Sequence, residues 1–572
     1  MKNFRLTLAA TIMLAAFTKT SAQSLATNYK GTGNSNPISP CVFCADPTAL
    51  VCDGRVYVYG TNDHQQFLHN NKQGSNNYGN IRSLVVFSSD DMVNWTFHGT
   101  IDVGKLCTSW GWRFAASWAP SVTWRETENG QREFFLYFAN SGGSIGVLTA
   151  SAPTGPWTSP FSKPFIDDTT PGVKPCNWIF DPGVLIDDQG TGWIAFGGGD
   201  PQPTGSKLMP GNSRIAKLKP SMIQLDGSAV NLPAPYLFEA SELNMMNGRY
   251  VYTYNTSWSD RDDWNSYPGR GGNAAPSSCS MCYMVTDTPL NPDTWEYRGE
   301  YVPNEGNFGM GWGNNHTHLQ KFGNDYYLFY HSTLLEQSMN TGASGFRSIG
   351  VDKATVNEET QTINKMTLTK SGVSPVGHMN PYTLQQAETM ATSGGVSYED
   401  FSNINKPTSI STLGNDASQN LQLNMKAGAW TMMRSVDFGN NGAKTFTLTA
   451  KGNGRLEIRL NSKVATPAAI VEFSSATMAE HSVELDPEQF KGLKNVFFLF
   501  TSADNVMFDA WQFTESGTNA IKGIPQTQDA SQRKLFTTDG RRLSNGHHRG
   551  MVIEQVTDAQ GPRRTFKRAN GK

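Results

Sequence analysis

The 572-residue chain is poor in charge: only 17% of its residues are Asp, Glu, Lys or Arg, and 47 cationic against 49 anionic residues leave a net charge of −2. There is no global basic surface of the kind that nucleic acid demands, so that partner is excluded for the chain as a whole. Long helical periodicity is scarce, and beyond the N-terminus no uninterrupted apolar stretch of 18 residues occurs, so no membrane span is expected. The glycine runs Gly197-Gly198-Gly199 and Gly309-Met310-Gly311 open no capped helix with a lysine, which removes a phosphate cradle. Cysteine is sparse and uneven, with seven residues that all precede position 283. The two C-x-x-C pairs, Cys41/Cys44 and Cys279/Cys282, lie about 235 residues apart and outside any ribbon-like context, which argues against zinc. Buried thiols with one or two disulfides are expected instead.

What the chain does have is 55 Gly, 29 Pro and 11% aromatic residues, the makings of many short strands joined by turns. The expected class is all-β, and the length requires two or three domains. At the N-terminus Lys2 and Arg5 precede an apolar run from Leu6 to Phe17, and Thr20-Ser21-Ala22 offers small residues before Gln23, the layout of a secretory signal peptide over 1–22. A secreted, periplasmic or cell-surface protein is expected.

One unit recurs five times between residues 42 and 365: a short apolar strand opening on a polar residue, a tight turn, then a strongly aromatic strand. The openings are Asp46, Trp118, Asp181, Glu239 and His316, spaced 58 to 77 residues apart, with partners VYVYG, FFLYFA, WIAFGG, YVYTYN and YYLFYH. Such spacing holds about four strands with variable loops, one propeller blade per unit. A five-bladed β-propeller over 24–378 is therefore expected, with the five openings converging on one axial pocket. Three carboxylates around one axis raise each other's pKa and cost stability, so their convergence points to chemistry.

Glycoside hydrolysis needs one protonated carboxyl for the leaving oxygen and one ionised carboxylate to activate water or attack. A third acid can keep the donor protonated. Sugars also need apolar platforms, and Trp110, Trp112, Trp118, Trp178, Trp258, Trp264 and Trp312 lie near the openings, with about half expected to face the pocket.

The segments ADPTALVCDGRVYVYGTND, WAPS, FDPGVLIDDQGTGWIAFGGG, FEASELNMMNGRYVYTYN, NNHTHLQKFGNDYYLFYH and FRSIGVD together resemble glycoside hydrolase family 43. The resemblance implies an inverting mechanism with Asp46 as general base, Glu239 as general acid and Asp181 as the residue that tunes and orients the acid. It places His316 near an axial Ca2+. It also puts Arg347, Trp118, Trp178 and Asn315 at the substrate. Asp63 matches a substrate-contacting position but follows Asn62 where the family carries histidine. The variants FEAS and FDPGVLIDD look most like members that remove α-L-arabinofuranosyl side chains from arabinoxylan, a plant cell-wall polysaccharide. A β-xylosidase acting on xylo-oligosaccharides and a non-catalytic glycan-binding propeller are the alternatives. The polar stretch from His64 to Asn80 is a long loop expected at the channel mouth.

Past residue 378 the aromatic repeat stops, and strand-like runs spaced like a β-sandwich (jelly-roll) follow over 386–515. AETMATSGGVSYED, AGAWTMMRSVDFG, LEIRL, GLKNVFFLFTS and FDAWQF resemble carbohydrate-binding module family 6. That resemblance implies a second Ca2+ on Glu388, Glu399 and Asp509, and a sugar platform at Trp430, although Ala429 stands where the family has an acidic residue. A sandwich that only packs on the propeller is the alternative. The basic tail, 517–572, carries 11 Lys or Arg against 4 Asp or Glu and resembles the strand-rich C-terminal sorting domains of Bacteroidetes secreted proteins.

Overall fold

In the computed structural model, residues 24–402 and 421–517 are described in full, together with the backbone of four strands between 533 and 570. The leader-like segment lies outside the described residues. Nearly every element is a strand, and five antiparallel sheets form the blades of a propeller.

Blade one pairs Ala45–Cys52, Arg55–Thr61, Leu84–Ser89 and Trp95–Ile101 in that order. Blade two has three strands, Trp118–Glu126, Arg132–Asn140 and Ser144–Ala150. Blade three runs from Gly183–Ile186 to Val230–Asn231 and blade four from Leu237–Met246 to Glu296–Val302, each with four strands. Blade five has Thr317–Phe322, Asp325–Ser332 and Ser348–Ala354. The second strand of each unit, apolar on both faces, is sandwiched between neighbouring blades; Phe134 to Ala139, for example, are all buried.

Side chains and close approaches link the first strands around the axis. Thr48 Oγ1 accepts the Val122 N–H of blade two, and Ser121 Oγ accepts the Val184 N–H of blade three. A Cβ on Gly183 would lie 2.5 Å from Glu242 Cα, so only glycine lets blade three meet blade four this closely. Glu242 then pairs with His318 of blade five at 2.9 Å. The N-terminal segment seals blade five along its last strand, through Ile38 N–H to Ile349 O, Val351 N–H to Asn36 Oδ1, and Cys44 N–H to Arg347 O.

The second module is one continuous sheet bent over on itself. Its long strands, Ala443–Leu460 and Leu493–Glu515, break register near Gly452, where φ is +96° and a Cβ would strike Asn505 O at 2.4 Å. Each strand thereby contributes to both layers of the sandwich. The sandwich and propeller form one compact unit. Thr389–Met390 adds a fifth strand to blade one, Tyr398 stacks on His64 with centroids 4.3 Å apart, and Asn94 exchanges two hydrogen bonds with the Arg434 backbone. By itself, the tail folds as a four-stranded sheet, Arg533–Thr537, Arg542–Leu543, Gly550–Val556 and Arg564–Asn570.

All seven cysteines are buried free thiols, so the expected disulfides are absent. Cores this continuous do not need them, since apolar burial supplies the stability that cross-links give small domains. No described helix is long and apolar enough to cross a membrane.

Candidate active site

The first strand of a blade enters from the axis through a bulge, and there the chain stores strain. Asp46, Ala119, Asp181 and Ala240 all adopt left-handed φ, between 39° and 61°, and register shifts sit at Ala45/Thr48, Trp118/Ser121 and Glu239/Glu242. A non-glycine residue in this region costs about 1–2 kcal/mol, a cost characteristic of sites where a side chain must be aimed. The equivalence read from the sequence is thus offset by one: Asp46 and Asp181 occupy the left-handed position, whereas Trp118 and Glu239 immediately precede it. His316 lies just before its strand, and its blade lacks the left-handed residue.

Four of these openings, all but His316, line a cavity of about 630 Å³ together with Arg347, Trp178, Tyr78, Phe180, Phe238, Asn314 and the Ser141–Gly143 loop. Trp178 packs so closely on Gly199 that a Cβ there would come within 2.8 Å of the indole, so glycine is what leaves it room. Tyr78, from the His64–Asn80 segment, stacks on the Arg347 guanidinium at 5.0 Å.

Arg347 organises the anionic side. Its Nη1 donates to Asp46 Oδ1 at 2.7 Å, and Thr61 Oγ1 donates to Asp46 Oδ2 at 2.7 Å. The Thr61 hydroxyl is oriented by accepting the Ala119 N–H, and the Asp46 N–H is received by His331 Nδ1, whose Nε2 donates to Asn314 O. Burial alone would raise Asp46, but the Arg347 charge and its neighbours outweigh it and hold this carboxyl well below the usual range. It is ionised at any working pH.

Glu239 sits in the opposite condition. Burial, then the charges of Asp181 and Asp46, push it well above the usual carboxyl range against the pull of Arg347 and of the Asn255 amide, which donates to its Oε1 at 3.3 Å. Asp181 is raised to about 7 by burial and by Asp46, while its Oδ2 accepts the Ala240 N–H at 2.9 Å and so fixes the backbone beside Glu239. One pocket therefore contains a carboxyl held ionised and one held protonated, with a third acid beside the protonated one.

Five residues expected at the substrate or its platforms are placed differently. Asp63 is fully buried and lines no part of the cavity; its carboxylate is spent on the Arg347 N–H, Nε and Nη2 at 2.8 to 3.0 Å. Asn315 is buried without a hydrogen-bond partner, and its neighbour Asn314 lines the cavity instead. Trp430 is 0% exposed, and its Nε1 donates to Ala26 O because the N-terminal segment lies across it, so it presents no sugar platform. Trp110 and Trp264 are core residues, whereas Trp112, Trp258 and Trp312 are exposed. Sequence reasoning missed Thr61, Tyr78, Asn255, Asn314 and His331. The alternation within YVYGT and YTYNT, which ends each second strand at the axis, was the signal for Thr61 and Asn255.

Neither expected calcium set assembles as a cage, since no group of three His, Cys, Asp or Glu side chains with metal-holding geometry occurs among the described residues. His316 is neutral, lowered to about 3 by burial, with Nδ1 3.7 Å from Asp46 and 3.9 Å from Asp181. Those carboxylates are committed to Arg347 and Ala240, so the side chains at the axis do not themselves fit a hard cation. In the sandwich Glu399 is paired with Lys72 at 2.8 Å. Glu388 fits better: it is buried, its Oε1 has no partner, and after burial the Asp509 charge raises it well above the usual range.

Residues 34–374 match the family model for Glycosyl hydrolases family 43, and residues 386–515 that for Carbohydrate binding module (family 6). The chain is 37% identical over 534 residues to an arabinoxylan arabinofuranohydrolase of Paenibacillus polymyxa, covering 90% of this chain and 79% of the relative. It is 35% identical over 514 residues to another of Bacillus subtilis (strain 168), covering 86% and 95%. A crystal structure of a glycoside hydrolase family 43 arabinoxylan arabinofuranohydrolase from Bacillus subtilis, in complex with cellotetraose, matches with a TM-score of 0.74 at 34% identity, covering 86% of this chain and 99% of that one.

Proposed function

The chain belongs to glycosyl hydrolases family 43 and is a glycosidase, and from that premise we propose that it removes α-L-arabinofuranosyl side chains from arabinoxylan with inversion. The observation that carries this reading is the opposed protonation of Asp46 and Glu239 within one pocket. Glu239 donates its proton to the glycosidic oxygen as the bond to the main chain breaks, and Asp46 takes a proton from the water that attacks the anomeric carbon from the other face. Asp181 holds the Ala240 backbone and, when charged, keeps Glu239 protonated between turnovers. Trp178, Phe180 and Phe238 wall the cavity with apolar surface suited to a single sugar ring.

The leader-like N-terminus supports export, which would place the enzyme where plant cell-wall polysaccharide is met. In the sandwich, Glu388 together with Asp509 would hold a calcium ion whose contribution is structural.

Time-resolved proton NMR of the purified protein on wheat arabinoxylan, sugar-beet arabinan and xylobiose tests the reading. Arabinose from arabinoxylan, appearing first as the inverted anomer and absent with Asp46→Asn, is the expected result. Xylose from xylobiose as the main product would replace it with a β-xylosidase, and no sugar from any substrate with a glycan-binding propeller.

A further inference from the structure

Resting on the reading above, we propose that Trp312 and Trp112 are platforms for the polysaccharide main chain, on two sides of the pocket into which the side-chain sugar descends. Propeller connectivity puts them there. The cavity is lined by residues just before first strands, such as Trp178 and Asn314, and by loops from second to third strands, such as Ser141–Gly143. Trp112 lies between the last strand of blade one and the first of blade two, and Trp312 between the last of blade four and the first of blade five. Both loops therefore open on the pocket face, at blade junctions that are not adjacent.

Trp312 is also backed on one side and open on the other, and Trp112 is open to solvent. Trp312 is 64% exposed, yet its indole lies so close over Gly306 that a Cβ there would come within 2.2 Å of it. Glycine thus lets the ring lie flat on the backbone, and Asn304 secures the loop by accepting the Gly306 N–H and donating to Cys279 O and Gly313 O. Trp112 is 87% exposed, with the Arg113 guanidinium 5.0 Å from its ring centroid. An exposed indole on the pocket face offers a flat apolar surface that matches the apolar face of a pyranose ring. The occupant is a run of β-linked pyranoses, because a pocket for one side-chain sugar flanked on two sides is what a branched polymer requires. A substrate cut only from its end needs a single flank. Trp430, being buried, offers no such platform in the sandwich.

The test compares Trp312→Ala, Trp112→Ala and Trp312→Phe in the full chain on wheat arabinoxylan and on p-nitrophenyl α-L-arabinofuranoside, which has no main chain. Each alanine variant is expected to raise KM for the polymer about three- to tenfold, with the aryl substrate changed less than about twofold and Trp312→Phe intermediate. Equal changes on both substrates, or none on the polymer, would overturn the assignment. Binding of unsubstituted xylohexaose to Asp46→Asn, with and without Trp312→Ala, separates the two hypotheses. Weakened binding supports the platform even if arabinose release fails, and undiminished binding removes it whatever sugar the enzyme releases.

Discussion

Asp63 holds Arg347 by three hydrogen bonds, and the fourth strong bond of that arginine goes to Asp46. The proposed base is therefore aimed by a residue that never reaches the cavity. Asp63→Asn keeps the shape but removes the charge opposing a fully buried guanidinium. It should lower kcat about 10- to 100-fold with little change in KM, as expected when a reacting group is displaced without loss of contact. Steady-state kinetics checks this, and a fall confined to KM would contradict it.

Arg347→Met addresses protonation. Asp46 lies below its ordinary range because Arg347 outweighs burial, so removing the cation lets burial dominate and the carboxyl rises. Activity that needs ionised Asp46 is present above its pKa and lost as pH falls through it. The acidic limb of the kcat/KM profile should therefore move to higher pH in Arg347→Met, and an unmoved limb would assign that limb to another group.

The barrel of blades was legible because its signal is repeated: aromatic second strands and their turns recur five times. The convergence of Asp46, Asp181 and Glu239 on one cavity was legible for the same reason, since Asp-Pro and Glu-Ala-Ser stand at openings. Finer details depended on backbone geometry that letters do not carry. The left-handed residue falls on Asp181 but on Ala240 rather than Glu239. Asn314 and Asn315 are identical in type, and only the local path of the chain decides which lines the cavity. Asp63 looked like a sugar contact because it matches a substrate-contacting position of the family, and the bidentate arginine that claims it is 284 residues away.

Glu239→Gln should cut turnover of arabinoxylan about 100- to 10,000-fold, while aryl arabinosides with good leaving groups lose much less, since they need little protonation. It should also stabilise the fold. A carboxyl raised on folding favours the native state most below its unfolded pKa, and that contribution is lost as pH rises towards the folded value. The variant should accordingly melt higher than wild type at neutral and alkaline pH, with the gap closing near pH 4. Equal melting curves at all pH values would mean that Glu239 is not held protonated.

Asp181→Asn keeps an acceptor for the Ala240 N–H but removes a negative charge beside Glu239. Glu239 should then release its proton more readily, and the basic limb of the kcat/KM profile should shift to lower pH. An unshifted limb would show that Asp181 acts on Glu239 through position alone.

Trp430 and Glu388 separate packing from ion binding in the sandwich. Trp430 is fully buried beneath the N-terminal segment, with Lys463 over its ring at 4.6 Å, so Trp430→Ala opens a cavity. It should cost about 3–5 kcal/mol without selectively weakening polymer binding. Glu388 keeps a buried oxygen without a partner beside another acid. If it helps hold calcium, millimolar Ca2+ should raise the melting temperature of wild type, chelation should lower it, and Glu388→Gln should abolish the difference. Binding at a hundredfold excess over Kd is worth about 2.7 kcal/mol, enough to see in a thermal melt. A calcium response retained in Glu388→Gln would move the ion elsewhere. No response in wild type would leave Glu388 as a buried neutral acid, and Glu388→Gln would then be close to neutral for stability.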